Sequence, residues 1–159
     1  MPAIHIRRAV REDSEALLRL VKALADYEKL PPPDEHARAR LLNDAFGERP
    51  LIETYFVFVD GNEAGYAVVF HSYSSFLALP TLYLEDIFVL PSHRGCGAGK
   101  ALFLAMAQLA LERGCGRMEW TVLDWNRLAL DFYSRLGARH MHEWQLHRLT
   151  ANELRELFE

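Results

Sequence analysis

Between Thr81 and Lys100 an apolar run, Thr81-Leu82-Tyr83-Leu84-Glu85-Asp86-Ile87-Phe88-Val89-Leu90, meets Pro91 and then a turn with three glycines, Arg94-Gly95-Cys96-Gly97-Ala98-Gly99. Behind the turn, Leu102, Phe103, Leu104, Met106, Leu109 and Leu111 make 100–113 read as a helix that is apolar almost all round and therefore well buried. A strand feeding a glycine turn that opens a helix narrows the options sharply. Glycines let the backbone approach a ligand, and a helix N-terminus offers unpaired N–H groups with partial positive charge. That combination suits a phosphate or a pyrophosphate; a turn that merely makes room for packing is the plainer alternative.

Counting rejects two other phosphate motifs. A Walker A loop needs a glycine where Arg94 stands and a hydroxyl where Ala101 stands. The dinucleotide pattern begun at Gly95 needs its third glycine at Lys100. R-x-x-G-x-G remains.

The strand before the turn carries two adjacent carboxylates, Glu85 and Asp86, in apolar surroundings. Buried carboxylates are costly unless paired or hydrogen-bonded. Neighbouring strand residues face opposite ways, so the two can serve different tasks. A third group, Asp124-Trp125-Asn126 followed by Phe132-Tyr133 and Gly137, reads as a capped helix with Tyr133 two turns beyond Asn126. Taken alone, Tyr133 reads as a core residue.

The remaining elements follow from periodicity and punctuation. Residues 3–7 alternate like a first strand, and Asp13 and Ser14 offer caps to a helix reaching Lys29, ended by Pro31-Pro32-Pro33. A weaker helix covers 35–45, and strands 52–59 and 64–71 flank the hairpin signal Asp60-Gly61-Asn62. After a loop, 72–80, come strand 81–90, helix 100–113, strand 117–123, the helix begun at Asn126, a last strand near 140–148 and a short closing helix. The order β-α-α-β-β-β-α-β-α-β predicts an α/β or α+β sheet domain, with 1–159 as one unit.

Composition excludes several classes. The formal net charge is -4 with no basic stripe, which argues against a general nucleic-acid binder. No stretch reaches the roughly 20 apolar residues of a membrane span. Two cysteines, Cys96 and Cys115, make no disulfide framework, and with no apolar leader the expected setting is the cytosol. Cys96 reads as a small turn residue; His140, His142 and His147 read as surface residues and no metal is expected. Trp120 and Trp125 read as packing residues.

Taken together, strand, R-x-x-G-x-G, helix, strand and an Asn-capped helix with F-Y-x-x-x-G resemble the GNAT superfamily of N-acetyltransferases over nearly the whole chain. Tyr27-Glu28, Tyr83-Leu84-Glu85-Asp86 and Asp124-Trp125-Asn126 resemble its diamine acetyltransferase group, spermidine/spermine and thialysine enzymes among them. The resemblance implies a central, mixed, mostly antiparallel sheet flanked by helices, with acetyl-CoA at splayed central strands. It implies that Ile87, Phe88 and Val89 line the pantetheine arm, that Arg94, Gly95, Cys96, Gly97, Ala98, Gly99 and Lys100 cradle the pyrophosphate, and that Asn126, Leu128 and Ala129 contact the CoA arm. Tyr133 resembles the general acid that protonates the departing thiolate, and Glu85 the acceptor of the amine's proton. Tyr27, Glu28, Asp86 and Trp144 resemble the acceptor pocket. Ser75 and Leu77 stand where polyamine enzymes carry an acidic residue and a Trp, which shifts weight toward a thialysine-like or other small amine.

Direct attack in a ternary complex is expected, and so is a homodimer with the C-terminal strand and helix near its interface. Two alternatives stay open: a catalytically silent CoA-binding or interaction domain, and a protein or peptide amine acetyltransferase.

Overall fold

The structure is a computed structural model that describes residues 1–159 and falls into two compact units, 1–121 and 122–159. The first unit holds strands β1 (Ile4–Arg8), β2 (Glu53–Val59), β3 (Asn62–Ser74), β4 (Leu79–Val89) and β5 (Arg117–Glu119). Its helices are α1 (Ser14–Glu28), α2 (Glu35–Phe46) and α3 (Ala98–Glu112). The sheet order is β1-β2-β3-β4-β5, antiparallel except for the parallel β4–β5 pair.

Local chemistry accounts for the element ends. Asp13 precedes α1 but does not cap it; its carboxylate takes both Arg7 Nη1 (2.7 Å) and Nη2 (2.9 Å) and the Val10 N–H. Asp34 does cap α2, accepting from the Ala37 N–H at 2.8 Å. The β2–β3 turn has positive φ at both Asp60 (50°) and Gly61 (83°), the geometry a two-residue hairpin needs.

Alternation along the strands divides the core between two faces. Phe56, Tyr66, Val68 and Phe88 pack with Leu17 and Leu20 of α1 and Ala45 of α2. The opposite parity, which includes Val57 and Val89, faces α3, whose Leu102 and Met106 are buried. Each such aliphatic or aromatic side chain contributes about 1.5–3 kcal/mol by leaving water. Contrary to the expectation of burial all round, α3 packs on one side only: Leu104 and Leu111 are exposed.

Three other expectations need correction. β3 and β4 run to Ser74 and from Leu79, so the anticipated 72–80 loop shrinks to a short tip, where the Ser74 hydroxyl accepts from the Leu77 N–H. The strand foreseen over 117–123 stops at Glu119, because β4 bulges and parts from it beyond Tyr83.

The third correction lies in the second unit. It comprises α4 (Arg127–Arg135) and α5 (Ala151–Glu156), the latter with a Thr150/Glu153 capping box. No strand forms near 140–148, since alternation alone makes no strand without a ladder partner and this chain supplies none. Residues 139–159 are exposed, Trp144, Leu146 and Phe158 among them.

Candidate active site

The site begins where β4 loses a neighbour. β5 pairs only with Thr81–Tyr83, so Leu84–Val89 is bonded to β3 on one side and presents backbone N–H and C=O groups on the other. In register, Val68 lies opposite Asp86 and Val69 opposite Leu84, leaving Glu85 as the extra residue of a β-bulge. The bulge puts Glu85 in the open and keeps Asp86 on the α1 face with Tyr66 and Phe88. Gly65 matters to this geometry, since a Cβ there would stand 2.2 Å from the Phe88 carbonyl oxygen.

The glycine turn follows. Gly95 (φ 79°) and Gly97 (φ 93°) both adopt the left-handed region that side chains disfavour. The first α-helical bond runs from the Ala101 N–H to the Gly97 carbonyl at 2.9 Å, so the amides of Ala98, Gly99 and Lys100 precede it and have no partner within the helix. Those amides and the left-handed backbone give the turn a partly positive end, which can take an anionic group.

The Arg94 side chain turns back instead. Its Nε donates to the Val89 carbonyl at 2.9 Å, and its guanidinium carbon lies 4.8 Å from the Tyr27 ring centroid and 5.5 Å from that of Phe88. Arg94 thus joins the turn to the end of α1. Cys96 Sγ donates to the His93 carbonyl at 3.1 Å, which makes it a staple of the turn.

An acidic corner completes this part of the site. Glu28 closes α1, Glu85 stands exposed, and Asp86 accepts from the Tyr66 hydroxyl at 3.0 Å. Burial pushes the Asp86 carboxyl up to about 6; the Tyr66 hydrogen bond pulls it down, and the charges of Glu85 and Glu28 push it up. Burial also raises Glu28. Tyr27 leans on Phe88, ring centroids 5.9 Å apart. Tyr66 escaped sequence reasoning. The available signal was a phenol within the otherwise small and aliphatic run Ala64-Gly65-Tyr66-Ala67-Val68-Val69.

The tip residues Ser75 and Leu77 stand at the far end of β4, about 20 Å along the strand from Glu85 at roughly 3.3 Å per residue. Within one chain, the substitutions at these two positions therefore do not alter the acidic corner.

The second unit carries the other expected residues. The Asn126 side chain caps α4 by accepting from the Ala129 N–H at 3.2 Å, and Leu128 is exposed on its first turn. Tyr133 lies edge-on to Phe132, and burial pushes its phenol up to about 12. Trp144 is exposed in a turn rather than on a strand. His140 and His142 have ring centroids 6.2 Å apart, and no three His, Cys, Asp or Glu side chains gather as a metal-ligand set.

The acetyltransferase (GNAT) family model matches residues 17–138, which span the bulged strand, the glycine turn and α4. The chain belongs to the GNAT acetyltransferase family. It is 35% identical to the thialysine N-epsilon-acetyltransferase of Bos taurus, over 99% of this chain and 98% of that protein. It is 45% identical to the L-ornithine N5-acetyltransferase NATA1 of Arabidopsis thaliana over 59% of this chain and 41% of that one. Among solved structures, an integron cassette protein from the mobile metagenome of V. cholerae superposes with a TM-score of 0.82 at 24% identity, covering 98% of each chain. As a GNAT member this chain is an acetyl-CoA-dependent N-acetyltransferase.

Proposed function

We propose that this chain acetylates the primary amine of a small cationic acceptor, a thialysine-like amine, an ornithine-like amine or a diamine. The observation that carries this reading is the acidic corner of Glu28, Glu85 and Asp86, set beside the open edge of β4. A primary ammonium titrates near 10.4, so at neutral pH only about one molecule in a few thousand is a nucleophile. Attracting the cation and removing its proton are therefore the protein's main tasks.

In this reading the Gly95–Lys100 backbone holds the donor's diphosphate, with Asn126, Leu128 and Ala129 along its arm. Ile87, Phe88 and Val89 offer backbone bonds to the pantetheine, and one of their N–H groups polarises the acetyl carbonyl. Glu85 takes the amine's proton through water, while Asp86, Glu28, Tyr27 and Trp144 fix the acceptor. Tyr133 returns a proton to the leaving thiolate. Attack is direct, with no acetylated protein.

Residues 1–159 act as one catalytic domain, a reading supported by a family match that runs across both compact units. The protein works in the cytosol, where free Cys96 and Cys115 persist, and as a homodimer that covers the exposed Leu146 and Phe158. No helix is long and apolar enough to cross a membrane.

The decisive experiment follows thiol release from acetyl-CoA with thialysine, ornithine, diamines, spermidine and a lysine peptide. Turnover on the small amines is expected to exceed that on the peptide. CoA binding without turnover across the panel would favour a silent binding domain, and a preference for the peptide would favour a protein acetyltransferase. Labelled acetyl retained on the protein after gel filtration without amine would overturn direct attack.

A further inference from the structure

We propose that Tyr66 is a positioning residue for the amine acceptor: its hydroxyl, bonded to Asp86, holds that carboxylate aimed at the acidic corner and ready to receive an ammonium. The inference rests on the acceptor site proposed above and adds to it a residue that touches neither substrate.

The geometry sets a phenol oxygen inside an apolar core. Tyr66 is fully buried, packed among Leu17, Leu20, Phe56, Val68 and Phe88, a setting that rewards apolar atoms. A hydroxyl taken there without a partner would be costly. The single side-chain bond it donates goes to Asp86 Oδ2 at 3.0 Å. Tyr66 and Asp86 share one sheet face, two register steps apart: Tyr66 lies opposite Phe88, and Asp86 opposite Val68. A Phe at 66 would fill the same core volume. The oxygen therefore adds only what it does for Asp86.

Asp86 needs that help. The charges acting on it come from Glu85 on its own strand and Glu28 at the end of α1, both negative. The nearby cation of the glycine turn, Arg94, is committed to the Val89 carbonyl and to the Tyr27 and Phe88 rings. Burial and two like charges all favour the neutral acid, and a neutral acid attracts no ammonium. The Tyr66 hydroxyl opposes them by donating to the charged form. It also fixes which oxygen is occupied, leaving Oδ1 for the acceptor.

The test compares the full chain with Tyr66→Phe across pH 5.5–9, using thialysine and acetyl-CoA as substrates. The expected result is an acid limb of kcat/KM for the amine moved up by about half to one pH unit. The amine KM rises at least threefold near pH 6.5, while the acetyl-CoA KM stays within twofold. Replacing Tyr66 by 3-fluorotyrosine keeps ring and hydroxyl but strengthens the donor, and is expected to move the limb down; this arm holds even where Phe fails to fold. A limb that stays put in a folded variant, or a loss equal at every pH, would overturn the proposal. Asp86→Asn separates the two readings. If it leaves the amine KM unchanged, the acceptor site itself is wrong; if it raises that KM and neither change at position 66 moves the limb, only the role of Tyr66 falls.

Discussion

Arg113, just past the end of α3, forks onto Glu53 at the start of β2, with Nη1 2.6 Å from Oε1 and Nη2 2.7 Å from Oε2. Tyr55 OH adds a bond to Oε2 at 3.1 Å, and Arg8 approaches it at 3.3 Å. The cluster ties the far end of the helix that begins at the glycine turn to the sheet. Arg113 holds the Glu53 carboxyl below the ordinary glutamate value, against the opposing effect of burial. A depressed carboxylate contributes stability above its unfolded pKa and loses it as pH falls through the lower folded value. Glu53→Gln is thus expected to cost about 1–3 kcal/mol at pH 7, between exposed and fully buried pairs. The deficit shrinks as pH drops below 4.5, the ordinary glutamate value. Urea unfolding at several pH values checks this, and a pH-independent deficit would rule out the charge as its cause.

Asp86 gives the opposite sign. Its folded value, about 6, lies above the ordinary 3.8, so the folded protein binds the proton more tightly than the unfolded chain. Stability is lost as pH rises between those two values. Asp86→Asn, whose carbonyl oxygen can still accept from Tyr66, is expected to stabilise the protein by about 1–2 kcal/mol at pH 7.5. Below about pH 3.8 the gain vanishes. On the acceptor site proposed above, the same variant is expected to raise the amine KM. Thermal unfolding at pH 3.5 and 7.5 tests the first statement; equal shifts at both would contradict it.

These two carboxylates also mark how far the sequence is legible. Position alone placed Glu85 and Asp86 on one strand, because seven of the other eight residues of the run Thr81–Leu90 are apolar or aromatic. Which carboxylate is exposed depends on the bulge at Glu85, a feature of the β3–β4 register that no local pattern encodes. The glycine turn was readable because left-handed backbone selects glycine at 95 and 97. The Arg94 stack on Tyr27 was not, since those residues meet only after α1 packs on the sheet. The alternation near 140–148 misled for the converse reason: it describes a surface that a strand can use, and no strand of this chain pairs with it.

Gly97 and Gly99 are expected to respond differently to alanine. At Gly97 the backbone is left-handed, so a Cβ costs about 1–2 kcal/mol and tilts the cradle. At Gly99 the backbone is helical and a Cβ would meet Val89 Cγ2 at 3.7 Å, an ordinary contact. If the proposed cradle holds the diphosphate, Gly99→Ala should fold as stably as the parent yet bind CoA at least threefold more weakly, since the turn then no longer admits the ligand as closely. Isothermal titration with CoA, paired with urea unfolding, separates the two. Unchanged CoA affinity in Gly99→Ala would mean that the ligand backbone keeps its distance from that residue.

Tyr133 offers the sharpest kinetic prediction. Burial lifts its phenol to about 12, so it keeps its proton throughout the neutral range and has one to give. Loss of a positioned general acid typically costs 10²–10⁴-fold in rate, and about tenfold is a cautious floor. Tyr133→Phe retains the ring that lies edge-on to Phe132, 5.3 Å between centroids, so α4 and its Asn126 cap should persist. The expected outcome is a kcat at least about tenfold lower with the acetyl-CoA KM changed little. The deficit should shrink for a thioester whose leaving thiol is more acidic, since such a thiolate departs with less help. Steady-state rates with acetyl-CoA and with a more acidic acyl-thiol donor provide the check. A parental kcat in Tyr133→Phe, or an identical deficit with both donors, would remove Tyr133 from the proton path.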